Sequence, residues 1–266
     1  MVRILFIGDV VGRPGRKILK VYLKEIIQSE AIDLVIVNGE NAAGGFGINS
    51  EISQELINAG VDVITLGNHT WDNREVFRVL ENQPRVIRPA NYPAGTPGEG
   101  FYIAETNQGV LVGIINLLGQ VFLEALNCPF ETAMENLNNI KRKTNIIIID
   151  FHAEATSEKK ALGWYLDGKV TAVLGTHTHV TTADERILPQ GTGYITDIGM
   201  TGPSDSVLGI APEIIVNKFL TKRPARFEVA DGPIELNGII LESNEFGQAI
   251  SIKRIRRTMD ENKNPF

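Results

Sequence analysis

Short apolar runs alternate with amphipathic stretches over the first two thirds of the chain. Arg3–Gly8 (RILFIG), Leu34–Asn38 (LVIVN), Val61–Leu66 (VDVITL), Ile146–Phe151 and Val170–Leu174 have the length and β-branched content of strands covered on both faces. Between them, Arg16–Glu30 places Ile18, Leu19, Tyr22, Leu23, Ile26 and Ile27 on one helical face. Ile52–Asn58, Pro129–Lys143 and Ser157–Asp167 read as further helices. Asp72 and Glu75 have the spacing of a capping box for a helix running to about Gln83. Tyr102–Glu105 and Val110–Leu117 flank Asn107-Gln108-Gly109 as a hairpin would. From Tyr194 onward the pattern turns to strands: Tyr194–Thr196, Phe227–Val229, Ile234–Leu241 and Ala249–Ile255, with one helix at Pro212–Leu220. Strands alternating with helices and then more strands predict a layered α/β fold with two mixed sheets face to face and helices outside. No shift of composition divides the chain, so residues 1–266 are expected to form a single domain.

Composition changes this picture little. With 43% hydrophobic and 22% charged residues the chain reads as an ordinary globular protein. A net charge of −6 argues against a broad nucleic-acid-binding surface, and the basic run Lys253–Arg257 reads as a solvated strand edge. The one cysteine, Cys128, precludes an intrachain disulfide and fits a reducing compartment. The N-terminal apolar run is too short for a signal peptide, and no stretch is long enough to span a membrane, so a cytoplasmic location is expected.

The chemistry lies at the residues just beyond each strand. In open α/β sheets ligands bind past the carboxyl ends of strands. There the chain places Asp9, then Glu40 and Asn41, then Asn68 and His69, then His152, then His177 and His179. Singly, each has a bland reading: a helix cap, a turn residue, a packed histidine. Jointly they do not, because all four histidines of the chain fall in this one set beside carboxylate and amide oxygens. That grouping points to a metal site. The donors outnumber the needs of one ion, and mixed imidazole and carboxylate suits Fe, Mn, Zn, Ni or Co better than Mg or Ca. Two such ions would attract phosphate and activate water.

These blocks resemble the metallophosphoesterase (calcineurin-like) superfamily, in Gly8-Asp9, Gly67-Asn68-His69, His152 and Gly175-Thr176-His177-Thr178-His179. The resemblance narrows to the YmdB-like family of bacterial metallophosphoesterases on GDVVGRPGR (8–16), NGENAAGGFG (38–47), TLGNHTWD (65–72), DFHAEATSEK (150–159), GTHTHVTTAD (175–184) and YITDIGMTGPSDSVLG (194–209). Two departures from the wider superfamily, Val11 in place of a histidine and Glu40-Asn41 in place of a bridging aspartate, match that subfamily. The resemblance implies a sandwich of two mixed β-sheets flanked by helices. It implies one metal ion on Asp9, Glu40, Asn41 and His179, and another on Glu40, Asn68, His152 and His177. Iron is the first expectation for both ions, manganese or zinc the alternatives. His69, left unligated, is implied as general acid. The implied activity is hydrolysis of small phosphodiesters, including 2′,3′-cyclic nucleotides, by a hydroxide held between the ions. A phosphomonoesterase or nucleotidase with the same metals, and a metal-bound sensor of a phosphorylated ligand, are the rival readings. Neither a membrane partner nor a broad nucleic-acid partner is expected, and self-association stays open.

Around this set, Asp150, Glu154 and Asp184 could orient imidazoles or be ordinary surface carboxylates. The loop Gly44–Gly47 could approach a phosphate or simply turn. Arg13 could contact phosphate or neutralise Glu40, and Trp71 and Phe46 could stack on a base or pack the core. The stretch 199–209 is expected at the pocket rim by resemblance.

Overall fold

The computed structural model describes residues 1–260. Its elements run β1 (Val2–Ile7), β2 (Asp9–Val10), α1 (Gly12–Ser29), β3 (Leu34–Asn38), α2 (Ser50–Asn58), β4 (Val63–Thr65), α3 (Val76–Asn82), β5 (Val86–Ile87), β6 (Phe101–Glu105) and β7 (Leu111–Leu118). They continue with α4 (Pro129–Ile140), β8 (Ile147–His152), α5 (Thr156–Tyr165), β9 (Ala172–Thr176), β10 (Arg186–Ile187), β11 (Gly193–Ile195), β12 (Met200–Pro203), α6 (Pro212–Thr221), β13 (Ile234–Ser243) and β14 (Ala249–Met259).

Two mixed sheets result. One has eight strands, in the order β2-β12-β13-β1-β3-β4-β5, with β14 paired to β13. The other has six, in the order β10-β11-β9-β8-β7-β6. Within the first, β1, β3, β4 and β5 are parallel; within the second, β7, β8, β9 and β11 are parallel. Parallel neighbours end on the same side, so the loops after β1, β3 and β4 lie side by side, as do those after β8 and β9.

The apolar strand runs are explained by three layers of packing. Val2, Ile4, Phe6, Leu34, Ile36 and Val63 of the first sheet meet Val112, Ile114, Ile148 and Leu174 of the second, forming the core between the sheets. The alternate residues of β1, including Leu5 and Ile7, face Ile18, Leu19, Leu23 and Ile26 of α1. Ile147, Ile149 and Phe151 of β8 face Leu137 of α4 and Leu162 of α5. Period two within a strand thus serves two cores at once. The sandwich expected from the sequence is the fold observed.

Local departures have local causes. Helix α1 begins a turn before the expected Arg16, because Pro14 falls in the first turn, where a missing N–H costs nothing. Helix α3 begins at Val76 and not at an Asp72 cap; no side chain caps it. The expected strand Phe227–Val229 does not form. Its backbone meets the 209–211 loop through Ala211 N–H to Glu228 O and Ala230 N–H to Gly209 O, a single bridge and not a strand. The basic run lies on β14, whose only strand partner among the described residues is β13. There Lys253 pairs with Glu30, Arg254 with Glu185 and Arg256 with Glu235. No helix among the described residues is long and apolar enough to cross a membrane.

Phe6 is 1% exposed between the two sheets. Truncation to alanine removes contacts on both sides, and Phe6→Ala is expected to lower unfolding free energy by about 3–5 kcal/mol. Urea denaturation of the variant against the parent checks this.

Candidate metal centre

Asp9, Glu40, Asn41, Asn68, His152, His177 and His179 all come together where the carboxyl ends of the two sheets face each other. Asp9, Glu40 and His152 are fully buried or nearly so. His152 Nε2 lies 3.0 Å from Glu40 Oε1, 3.0 Å from Asn68 Oδ1 and 3.1 Å from His177 Nδ1. Asn41 Nδ2 lies 3.1 Å from Glu40 Oε1 and 3.2 Å from His179 Nε2. Asp9 Oδ1 is 3.7 Å from His152 Nδ1 and 3.9 Å from His179 Nε2. Glu40 therefore touches both the Asn68/His152 group and the Asn41 amide that leads to His179.

The backbone is shaped to allow this. Gly67 has no room for a side chain: a Cβ there would sit 2.3 Å from Glu40 Oε2 and 2.5 Å from His152 Nε2. The following turn brings the His69 N–H to Glu40 Oε2 at 3.0 Å. His177 and His179 both have positive φ, 97° and 64°, which is uncommon for residues other than glycine. That conformation answers why two imidazoles stand one residue apart. His177 turns toward His152, His179 toward Asn41 and Asp9. The His177 N–H donates to Asp9 Oδ2 at 3.2 Å, tying this loop to the tip of β1.

Charge is the controlling feature. Burial pushes Asp9 upward, opposed by His179 and His152, and its carboxyl stays raised. Burial would raise Glu40 too, but the charge and hydrogen bond of His152 prevail and hold it at about 2. For His152 burial disfavours the cation, yet Glu40, Asp9 and Asp150 outweigh it and keep the ring at about 9. His177 is driven down to about 3 by burial and then by the neighbouring His152 charge. The carboxylates demand positive charge at this point.

The residues fit a cation on two observations. His152 Nε2 can carry one hydrogen, yet it faces two oxygens and a ring nitrogen within 3.1 Å, so lone pairs converge in excess of the protons available. Asp9 Oδ1 is a buried acceptor with no hydrogen-bond partner among the described residues. Glu40, His152 and His177 in particular have ligand atoms within 4.8 Å of one another. The donor set, nitrogen with carboxylate and amide oxygen and no thiolate, suits a transition metal.

Behind the donors lies a layer that sequence reasoning reached in part. His152 Nδ1 lies 2.9 Å from Thr176 Oγ1, whose hydroxyl donates to Asp150 Oδ1 at 2.7 Å. This leaves Nε2 turned to the cluster. Asp150 also accepts from Thr65 at 2.5 Å and Asn38 at 3.1 Å, crossing from one sheet to the other, and burial raises it to about 6. Asp150 thus acts on the imidazole through Thr176. Glu154 acts directly on a different ring, its Oε2 lying 2.9 Å from His177 Nε2. Asp184 touches none of the histidines; it accepts from Thr182 and Thr196 instead. Lys159 and Asp197, both buried, form a 2.6 Å ion pair that sequence reasoning missed. Asp197 Oδ2 accepts from Thr178 N–H and Oγ1 at 3.0 and 2.7 Å, and Lys159 donates to Thr176 O at 2.7 Å. The pair clamps the loop that carries His177 and His179. A lysine in an amphipathic helix gives no sequence signal of burial.

His69 stands apart from the converging donors. Its Nδ1 is 2.7 Å from Asp72 Oδ2, the carboxylate expected to cap α3, and its ring is partly exposed. It borders a cavity of about 540 Å³ that also touches Glu40, Asn41, His177 and His179. Val207 and Leu208 line that cavity, in line with the rim expected of 199–209, although Met200–Pro203 is strand β12. Phe46 lines it as well, with glycines 44, 45 and 47 at positive φ giving the turn that carries it. Trp71 packs on Phe77 and Tyr92, as core packing requires. Arg13 is exposed.

A family model described as YmdB-like protein matches residues 5–255. A 2′,3′-cyclic-nucleotide 2′-phosphodiesterase of Bacillus subtilis is 50% identical over 254 residues, covering 95% of this chain and 96% of that protein. The crystal structure of a novel phosphatase from Mycoplasma pneumoniae superposes with TM-score 0.91 at 38% identity, covering 97% of this chain and 94% of the other. A 5′-nucleotidase precursor from Thermus thermophilus shares the fold, with TM-score 0.56 at 15% identity over 98% of this chain and 55% of the other.

Breaking one half of a buried ion pair strands the other charge. Lys159→Met is expected to cost about 3–5 kcal/mol in urea unfolding, and Lys159→Met with Asp197→Leu to recover part of that loss. A single variant as stable as the parent would show that the pair does not anchor the loop.

Proposed function

Because this chain belongs to the YmdB-like family, we propose that it is a metal-dependent phosphodiesterase that opens 2′,3′-cyclic nucleotides at the 2′ oxygen. The observation that carries this reading is the convergence of seven donor side chains, four of which line one cavity, with a single imidazole outside them, His69, lining the same cavity. Support for the substrate comes from the Bacillus subtilis relative, at 50% identity over almost the whole chain.

In this reading Asp9, Glu40, Asn41 and His179 would hold one cation, and Glu40, Asn68, His152 and His177 would hold the other. We assign iron first, with manganese or zinc as alternatives, from the mixed nitrogen and oxygen donors. Bound there, the ions supply positive charge against the phosphate and a water of lowered pKa as nucleophile.

The chain's own residues do the rest. Thr176 fixes the His152 tautomer through Nδ1, and Glu154 orients His177 through Nε2. His69 supplies the proton. Asp72 engages its Nδ1 and leaves Nε2 for the leaving 2′ oxygen. Water adds to phosphorus, the P–O2′ bond breaks, the proton goes to O2′, and a nucleoside 3′-phosphate results.

Three outcomes test this. Protein purified without chelator or histidine tag should hold about two transition-metal atoms per chain by elemental analysis, and chelation should abolish turnover. Metal-depleted protein should also melt at lower temperature, because a ligand bound only to the native state stabilises it by mass action. His69→Ala should keep the metal content yet lose about 10²–10⁴-fold in turnover of adenosine 2′,3′-cyclic phosphate, and far less on an activated bis-aryl diester. Equal losses on both esters would remove the proton-donor role. Faster release of phosphate from adenosine 3′-phosphate than opening of the cyclic ester would favour a phosphomonoesterase.

A further inference from the structure

The cavity in front of the donors is larger, more aromatic and more basic than one phosphodiester requires. Phe46 presents its ring to His69 edge-on at 5.0 Å, and Phe227 stacks near Phe46 with centroids 6.4 Å apart. Helix α6 contributes Lys218 and Phe219 to the wall and its C-cap residue Lys222 joins them; no residue of that helix is buried. Lys218 Nζ rests 4.4 Å above the Phe227 ring and Lys222 Nζ 5.6 Å from Phe219, so both ammonium groups sit on aromatic faces at the cavity wall. The segment KFLTKRPARF (218–227) contains Lys218, Lys222, Arg223 and Arg226 and no acidic residue, in a chain whose net charge is −6. Of these four, Lys218 and Lys222 reach the cavity, where the carboxylates are Glu40 of the donor cluster and Glu154, which is held by His177.

In the proposed reaction the reacting phosphate would find its counter-charge at the metal centre, and the partly exposed Phe46 ring offers a base a surface to pack on. That leaves the lysines without an anion, since a mononucleoside 2′,3′-cyclic phosphate carries only the one. We propose that Lys218 and Lys222 form a subsite for a second phosphate on the 5′ side of the nucleotide. The preferred substrate class is then a 2′,3′-cyclic nucleotide bearing a 5′ phosphate or phosphodiester. Such an anion belongs either to a 5′-phosphorylated mononucleotide or to the cyclic-phosphate end of a short oligoribonucleotide. The subsite rests on the phosphodiesterase reading for the place of the reacting phosphate.

The test compares three probes: adenosine 2′,3′-cyclic phosphate, its 5′-phosphorylated form, and the ApA dinucleotide ending in a 2′,3′-cyclic phosphate. Metal-loaded protein gives kcat/KM for each; chelator-treated protein gives affinity by calorimetry, where no turnover intervenes. Probes with the second phosphate should be favoured about tenfold, the gain of one charge-assisted contact. That preference should fall toward one in the Lys218→Ala, Lys222→Ala double variant and shrink with added salt. A preference for the dinucleotide over the 5′-phosphorylated nucleotide supports an RNA-end source, the reverse a mononucleotide source. Equal kcat/KM and equal affinity for all three overturns the subsite while leaving hydrolysis intact. Discrimination in affinity without turnover under any metal supports the subsite and removes the hydrolase reading.

Discussion

Two carboxylates, Asp9 and Glu40, are buried within a few ångströms of the same imidazole, and the rest of the structure is arranged around that fact. Charge taken out of water is costly unless matched, so a fold that places both there must supply positive charge or lose stability. His152 meets part of the demand, as its elevated basicity shows. It cannot meet all of it, since Asp9 Oδ1 remains a buried acceptor without a hydrogen bond among the described residues. Local strain obeys the same logic. The positive φ of His177 and His179 and the missing Cβ at Gly67 all serve to bring lone pairs within reach of one another.

Much of this was legible in the chain because parallel strands impose a common direction. Once RILFIG, LVIVN and VDVITL read as neighbouring buried strands, Asp9, Glu40 and Asn68 had to emerge on one side. The same held for His152 and the His177/His179 pair. Four histidines confined to those tips could not be placed by chance packing. The continuous apolar runs, in turn, reported strands wedged between two cores, as Ile147, Ile148 and Ile149 now show by facing alternate layers.

What stayed hidden was polar chemistry inside apolar runs. Asn38 and Thr65 look like ordinary strand ends, yet they cross between sheets to Asp150. Lys159 lies in a stretch read only as a helix, and Asp197 comes after a strand no differently from a cap. Pairing between them depends on tertiary approach, which no local signal encodes. Asp72 illustrates the converse: its spacing to Glu75 suits a helix cap, but a charge-assisted bond to His69 is the stronger attraction for a carboxylate. Phe227–Val229 had strand propensity, yet among the described residues it makes only the Ile210–Val229 bridge and sends its aromatic ring to the cavity wall.

Asn68 and His69 are consecutive, and in the proposed mechanism their roles are opposite. One side chain points into the buried cluster, the other toward the cavity, because the backbone turns between them while the His69 N–H is held on Glu40. A proton donor on the same turn as a ligand has its distance to the reacting phosphate set by the backbone, not by a flexible loop. The electrostatics complete the argument. In that mechanism two ions set against Asp9 and Glu40 would leave an excess of positive charge at the end of the cavity that Val11, Phe46, Ile210 and Phe227 help to line. A monoanionic diester would be drawn toward that charge, within reach of the proton donor on the same turn.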